Sequence, residues 1–260
     1  MNILLVSPQT PDTFWSFRHV LPFVGKKAAF PPLGLLTIAA MLPDTWWIKL
    51  VDLNVTKLTD SDIDWADAVL VSAMIVHEES ARRIIARSNE RDVPVVAGGP
   101  LFTTAAERFP EVACCVVGEA EEVMLELAND MAAGTLKRRY QAAERPDVTK
   151  TPIPRWDLIN VRDYATMSLQ FSRGCPFDCE FCDITAVYGR KPRTKTPEQM
   201  VGELEALLQS RQAAVSQQLA RLRMEGLVTC RRDGKTIYYS LADEKSARLI
   251  HLLYDMFCAR

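Results

Sequence analysis

An α/β fold is predicted by three features of this 260-residue chain. Short, almost wholly apolar runs recur along the first 140 residues, the pattern of strands buried on both faces. Stretches of helical period separate them, so strand and helix alternate. The chain then changes character twice, at a proline-rich tract near residue 144 and again near residue 210. The expectation is a doubly wound parallel sheet over residues 1–140, with ligands at the carboxyl ends of its strands, and two smaller regions of different pattern after it.

The elements follow in order. Ile3-Leu4-Leu5-Val6 is a first strand, ended by Ser7-Pro8. Pro31-Pro32 precede a helix over 33–42, with proline where a first turn tolerates it. Residues 47–52 and 68–72 are strands two and three, and a helix over 78–90 puts Ala81, Ile84 and Ile85 on one face. Strand four, 93–97, ends in Gly98-Gly99-Pro100. Strand five covers 112–117, with a helix over 120–132 behind it. Cys114 and Cys115 fall inside that strand and read as small apolar core residues. Asp52 and Asp67 read as strand-end and capping residues rather than acid/base catalysts.

Composition narrows the function classes. A net charge of −2 provides no global field to draw the chain to nucleic acid, so any such binding must be local. Seven cysteines, an odd number with three clustered, favour a reducing, cytoplasmic setting over a disulfide framework. No run of eighteen apolar residues occurs, so no membrane span is expected. No basic region precedes the first apolar run, so no signal peptide is expected either.

Phe30-Pro31-Pro32-Leu33-Gly34-Leu35, Val51-Asp52-Leu53-Asn54 and Val95-Val96-Ala97-Gly98-Gly99-Pro100 resemble the N-terminal cobalamin-binding domain of class B radical S-adenosylmethionine (SAM) methylases and their relatives. The resemblance implies a cobalamin cradle at the strand ends. Gly98 and Gly99 would let a large ligand approach the backbone, and Ser72 would donate a hydrogen bond to its nucleotide tail. The D-x-H-x-x-G signature of histidine-ligated cobalamin proteins is absent. Bound cobalamin would therefore lack a protein histidine on its lower face.

Residues 141–165 have linker composition, with three prolines between Glu144 and Pro154. Residues 164–172 then alternate and are expected to form a strand that feeds the run Arg173-Gly174-Cys175-Pro176-Phe177-Asp178-Cys179-Glu180-Phe181-Cys182. Three cysteines spaced C-x3-C-x2-C supply soft thiolates, which select iron–sulfur clusters or zinc over hard cations. A zinc site would want a fourth nearby ligand. His19, His77 and His251 are distant in sequence, and Cys230 lies far downstream. The run resembles the radical SAM motif, with Phe181 as the aromatic before the third cysteine. That resemblance implies a 4Fe–4S cluster on Cys175, Cys179 and Cys182 whose open iron binds SAM. One electron then cleaves SAM to a 5′-deoxyadenosyl radical. A helix over 194–209 follows, capped by a Thr196–Gln199 box with Pro197 in its first turn. Met200, Leu204, Leu207 and Leu208 form its apolar face. Strand, cluster loop and helix resemble the start of a radical SAM (β/α) barrel, truncated here because about five further strand–helix units are missing.

From residue 210 the pattern differs again. Residues 212–228 read as an amphipathic helix closed by Gly226. Asp233-Gly234 between two alternating runs predicts a hairpin, and residues 245–257 a last helix. The tract resembles the second half of ArsR-family winged-helix repressors. The resemblance places Gln212, Ser216, Gln217 and Arg221 toward the major groove, and Arg231, Arg232 and Lys235 on phosphates. Gln218 stands where many relatives carry histidine, and the helices that precede the recognition helix are absent. Cys258 aligns near a redox thiol of some relatives, but its partner would lie in those absent helices, so no working sensor is expected. A dimer through the C-terminal helix and weak DNA binding are the expectations. Three readings compete: a radical SAM iron–sulfur protein with a cobalamin-binding domain, an ArsR-type regulator, and a join of two genes without function. The substrate is not legible in these residues.

Overall fold

The computed structural model describes residues 1–13, 16–177, 179–180, 182–208, 220–221, 223–226, 228–233 and 236–242. The chain forms two compact units, Met1–Lys195 and Thr196–Arg260.

The first unit is built on β1 (Asn2–Ser7), α1 (Leu33–Ala39), β2 (Trp47–Asp52), α2 (Asp60–Asp64), β3 (Ala68–Ser72), α3 (Glu78–Asn89), β4 (Val95–Gly98), α4 (Pro100–Ala105), β5 (Cys114–Val117), α5 (Met124–Ala133) and β6 (Arg139–Gln141). The strands make one sheet in the order β2-β1-β3-β4-β5-β6, every neighbouring pair parallel. Strand side chains alternate between faces, so Leu4, Val6, Val69, Val71 and Val95 join one core and Ile3, Leu5, Leu70 and Val96 the other. The first core is covered by α3 and α4 through Ala81, Ile84, Ile85, Leu101 and Phe102. The second is covered by α1 and α5 through Leu35, Ala39, Met124, Leu127 and Met131. Ile3, Leu4, Leu5 and Val6 are wholly buried, and each contributes roughly 1.5–3 kcal/mol by leaving water. The doubly wound expectation is met.

Several boundaries differ from the expectation, most by one or two residues. α1 ends at Ala39 rather than residue 42, and β4 and β5 start two residues later than expected. α5 starts at Met124 rather than residue 120, because residues 118–123 turn to carry a buried carboxylate described below. β6 was not expected: only Tyr140 of its three residues is buried, so no apolar run marks it.

The proline-rich tract packs against this unit. Val148, Trp156 and Tyr164 are buried, and Ala28 pairs with Tyr164 in an isolated bridge. The Tyr164 hydroxyl donates to Asp52 Oδ2 at 3.1 Å. Asp52 also accepts from the backbone and side-chain nitrogens of Asn54, at 2.9 and 2.7 Å. Burial raises the Asp52 pKa, and these hydrogen bonds oppose the rise without cancelling it. Asp67 accepts from the Asn2 backbone N–H at 2.7 Å. Both carboxylates are strand-end and turn partners, as expected.

The expected strand over 164–172 is not formed. Only β7 (Ser172–Arg173) is regular, and it pairs antiparallel with β8 (Arg193–Thr194) across α6 (Ile184–Tyr188). Parallel barrel strands need neighbours of their own kind, and the described residues supply none here.

In the second unit, α7 (Pro197–Leu208) carries the expected cap. Thr196 N–H donates to Gln199 Oε1 at 2.9 Å, and Gln199 N–H donates to Thr196 Oγ1 at 3.3 Å. β9 (Val228–Asp233) and β10 (Thr236–Leu241) form the expected antiparallel hairpin, with Asp233 opposite Thr236. Gly226 takes a left-handed φ of +74° and closes on Arg223 O, as its helix-ending role requires. The expected helix over 245–257 and Cys258 lie outside the described residues. Among the described residues no helix is long and apolar enough to cross a membrane.

Candidate functional site

Strand order reverses at β1 and β3, so their carboxyl ends leave a crevice, the usual ligand position in such sheets. Two adjoining cavities occupy that edge, and Leu33, Gly34, Leu35, Ser72 and Pro100 line both. The smaller, about 260 Å³, lies between α1 and α5. Its walls are mainly apolar, with Ile38, Met41, Val96, Val116, Met124 and Leu127. The larger, about 730 Å³, opens beside Ser7, Thr10, Asn54 and His77.

Ser72, Gly98 and Gly99 all line the smaller cavity, so the structure brings these three expected residues together. Their roles differ from the simple expectation. Gly99 has a φ of +89°, and a Cβ there would lie 2.7 Å from Ser72 Oγ and 3.0 Å from the Ala73 backbone. The chain itself fills the Cβ position, so glycine at 99 is required by the fold. At Gly98 a Cβ would sit 3.7 Å from Val116, an ordinary contact, and its bare backbone faces the cavity.

His77 lines the larger cavity, but its ring is committed. Met74 N–H donates to Nδ1 at 3.3 Å, which places the proton of the neutral ring on Nε2, 3.4 Å from Thr10 Oγ1. Burial lowers its pKa, with the Asp52 charge opposing, which favours that neutral form. A protonated Nε2 does not ligate a metal.

The cysteines lie on the loop between β7 and α6. Cys175 and Cys182 are half-buried and Cys179 is exposed. Cys182 N–H donates to Cys179 O at 3.1 Å, and Cys175 N–H to Gly189 O at 3.0 Å. Three thiols on one accessible loop suit a cluster in donor chemistry. Among the described residues, no three His, Cys, Asp or Glu side chains stand close enough to hold a metal ion. Phe181 lies outside the described residues. Cys114 and Cys115 are buried in β5, and burial pushes the Cys114 thiol up to about 12, as core cysteines behave.

A buried ion cluster beside this loop was not anticipated. Glu119 follows β5, and its side chain is 2% exposed. Three guanidinium groups surround it: Arg193 at 2.6 Å, Arg173 at 2.9 Å and Arg145 at 3.5 Å. Glu121 pairs with Arg173 as well. Burial would lower the Arg173 pKa, but Glu121 and Glu119 outweigh it and hold it above its ordinary value. Glu119, Glu121 and Arg173 line the smaller cavity, so the cavity and the cysteine loop share a wall. The visible signal was Gly118-Glu119-Ala120-Glu121, two carboxylates directly after a fully apolar strand.

Of the expected DNA contacts, Arg221, Arg231 and Arg232 are exposed, and Arg221 forms an i,i+4 pair with Glu225 at 3.4 Å. Arg231 and Arg232 lie on β9. Gln212, Ser216, Gln217 and Lys235 lie outside the described residues.

A parallel α/β sheet with a crevice at its switch point defines a nucleotide- or cofactor-binding class of domain. Within it, residues 27–128 match the B12 binding domain family. Over 209 residues the chain is 43% identical to an uncharacterized methyltransferase, sll1242, of Synechocystis, covering 80% of this chain and 39% of that protein. It is 39% identical to the hopanoid C-2 methylase of Rhodopseudomonas palustris over 213 residues, again 80% of this chain and 40% of the methylase. Over 59 residues the chain is 58% identical to the biofilm growth-associated repressor of Agrobacterium fabrum, covering 23% of this chain and 50% of the repressor. The chain therefore spans about two fifths of the length of these methyltransferases and half that of the repressor.

Proposed function

We propose that this chain is a cobalamin-binding iron–sulfur protein of the radical SAM type. The observation that carries the reading is the cavity between α1 and α5, lined by Ser72 and Gly98, inside the segment that matches the B12 binding domain family. Its apolar walls suit the flat benzimidazole of a cobalamin nucleotide tail, and Ser72, which lines both cavities, would donate a hydrogen bond to that tail. The larger cavity beside it would take the corrin ring, and no protein histidine is proposed as a cobalt ligand. Cys175, Cys179 and Cys182 would hold a 4Fe–4S cluster, and Phe181 would contact its SAM. Bound cluster and cobalamin supply one-electron chemistry and a methyl carrier. The longer relatives are named as methyltransferases, the cysteine motif implies SAM cleavage followed by methyl transfer or rearrangement, and binding of the cofactors is what is proposed for these residues.

One loading experiment tests the reading. The full chain is reconstituted anaerobically with iron and sulfide, dialysed against hydroxocobalamin, and assayed for both metals. We expect about four irons per chain, lost on Cys175→Ala, Cys179→Ala or Cys182→Ala and kept on Cys114→Ala. Cobalt should be retained by the wild type and lost on Gly98→Leu, whose side chain fills the cavity. Equal iron in a triple cysteine variant, or equal cobalt in Gly98→Leu, contradicts the corresponding half of the proposal.

A second reading is favoured by the β9–β10 hairpin together with the match to a repressor. It assigns DNA contacts to Gln212, Ser216, Gln217, Arg221, Arg231, Arg232 and Lys235. Binding is then mainly to phosphate, because the matched segment covers only half of the repressor.

A further inference from the structure

We propose that Glu119 is the positioning residue of the cysteine loop, an anchor that fastens the loop's stem to the carboxyl edge of the sheet. The inference rests on the reading of Cys175, Cys179 and Cys182 as cluster ligands, and it adds the device that sets where they stand.

The stem needs an anchor. β7 and β8 pair through two residues each, Ser172 with Thr194 and Arg173 with Arg193. A two-stranded ladder of that length does not hold itself together in water. The same register sets two guanidinium groups side by side, a repulsive arrangement unless an anion lies between them. Glu119 is that anion. It reaches Arg173 at 2.9 Å and Arg193 at 2.6 Å from the end of β5, in a different layer of the unit.

Arg145 closes the other side of the loop. Its guanidinium reaches Glu119 and also donates to the carbonyls of Ala186 and Val187 in α6. It lies against Gly189, whose φ is +81°, and a Cβ there would come within 2.5 Å of Arg145 Nε. Gly174, next to Cys175, folds back on Lys191 and Gly189 with a φ of +94°. Both ends of the cysteine run are thus tied to one carboxylate through arginines. A carboxylate with a side chain 2% exposed is stable as an anion only while these partners stay in place, and the same partners repel one another without it.

The test uses thiol alkylation of the apo full-length chain, mapped by mass spectrometry. Cys114 and Cys115 are buried in β5 and report on the fold, while Cys175 and Cys182 report on the loop. Glu119→Gln should accelerate alkylation of Cys175 and Cys182 by more than about tenfold through local opening, with Cys114 and Cys115 still protected. Glu119→Asp, which keeps the charge, should restore much of the protection. Unchanged rates at Cys175 and Cys182 in Glu119→Gln overturn the proposal. Should that variant expose Cys114 and Cys115, Arg145→Ala decides, since its side chain is 41% exposed and its contacts are to Glu119 and the loop. It too must accelerate loop alkylation, and equal rates reject the anchor. In parallel, each chain is reconstituted with iron and gel-filtered. A wild type without iron rejects the cluster reading while the alkylation result still decides the anchor. A wild type with iron and a Glu119→Gln chain that retains as much shows that the anchor does not position the ligands.

Discussion

At Gly99 the backbone φ of +89° lies where a side chain is strained, and the space for a Cβ is already occupied by Ser72 and Ala73. Gly118 has a similar φ, +82°, with nothing within 4 Å of its missing Cβ. The pair separates steric from conformational cost. Gly118→Ala should destabilise by about 1–2 kcal/mol, the cost of the left-handed region. Gly99→Ala should cost roughly 2–4 kcal/mol, because overpacking adds to it. Urea midpoints of the two variants check this, and equal losses contradict it. Asp52 gives a pH signature at the same scale. Its folded pKa is raised, so the folded chain keeps the proton to a higher pH than the unfolded chain does. Its contribution to stability is therefore fully present below the ordinary aspartate value of about 4 and falls as pH rises through the raised value. Asp52→Asn cannot titrate. The difference in urea midpoint, wild type minus variant, should fall as pH rises above about 4. A difference that stays constant over that range contradicts the buried, raised carboxylate.

Elements whose signal is local were legible in the residues. Buried parallel strands such as Ile3–Val6 show as apolar runs because both faces are covered. The Thr196–Gln199 box is set by neighbouring side chains and the β9–β10 pairing by alternation on either side of a turn signal, and both pairings formed as read, with Gly234 outside the described residues. Elements set by distant partners were not legible. β6 is a three-residue edge strand with polar Arg139 and Gln141 around Tyr140, so periodicity misses it. The alternation over 164–172 suggested a strand, yet Tyr164 is spent on Asp52, Ala165 and Thr166 donate to the carbonyls of Ala28 and Ala29, and among the described residues no strand pairs with 167–171. The candidate site divides in the same way. Ser72 and Gly98 follow from strand ends, whereas Glu119 gains meaning only when residues 145, 173 and 193 gather round it. The hairpin carries its own prediction. Arg231 and Arg232 are exposed on β9 and are the proposed phosphate contacts, so the full chain should bind duplex DNA weakly, with strong salt dependence and little sequence preference. Fluorescence anisotropy with a palindromic operator of the repressor type and a scrambled duplex, at two salt concentrations, measures this. An operator preference above about tenfold, the scale of one good base contact, contradicts it and moves the regulator reading to first place.

Across the molecule, one α/β unit carries the crevice, the two adjoining cavities and the cysteine loop, and a second unit carries the hairpin. The methyltransferase matches cover four fifths of the chain, whereas the repressor match covers less than a quarter. That balance puts cofactor binding in the first unit at the centre of the account. Under the proposal, the nucleotide tail would enter the cavity between α1 and α5 and the benzimidazole would leave the cobalt, while His77 Nδ1 already accepts from Met74 N–H. The electron paramagnetic resonance spectrum of the full chain loaded with Co(II) cobalamin tests this most directly. The account predicts cobalt hyperfine lines without nitrogen splitting. A spectrum with nitrogen splitting, from the benzimidazole or from a protein imidazole, would place a nitrogen on the lower face and contradict it.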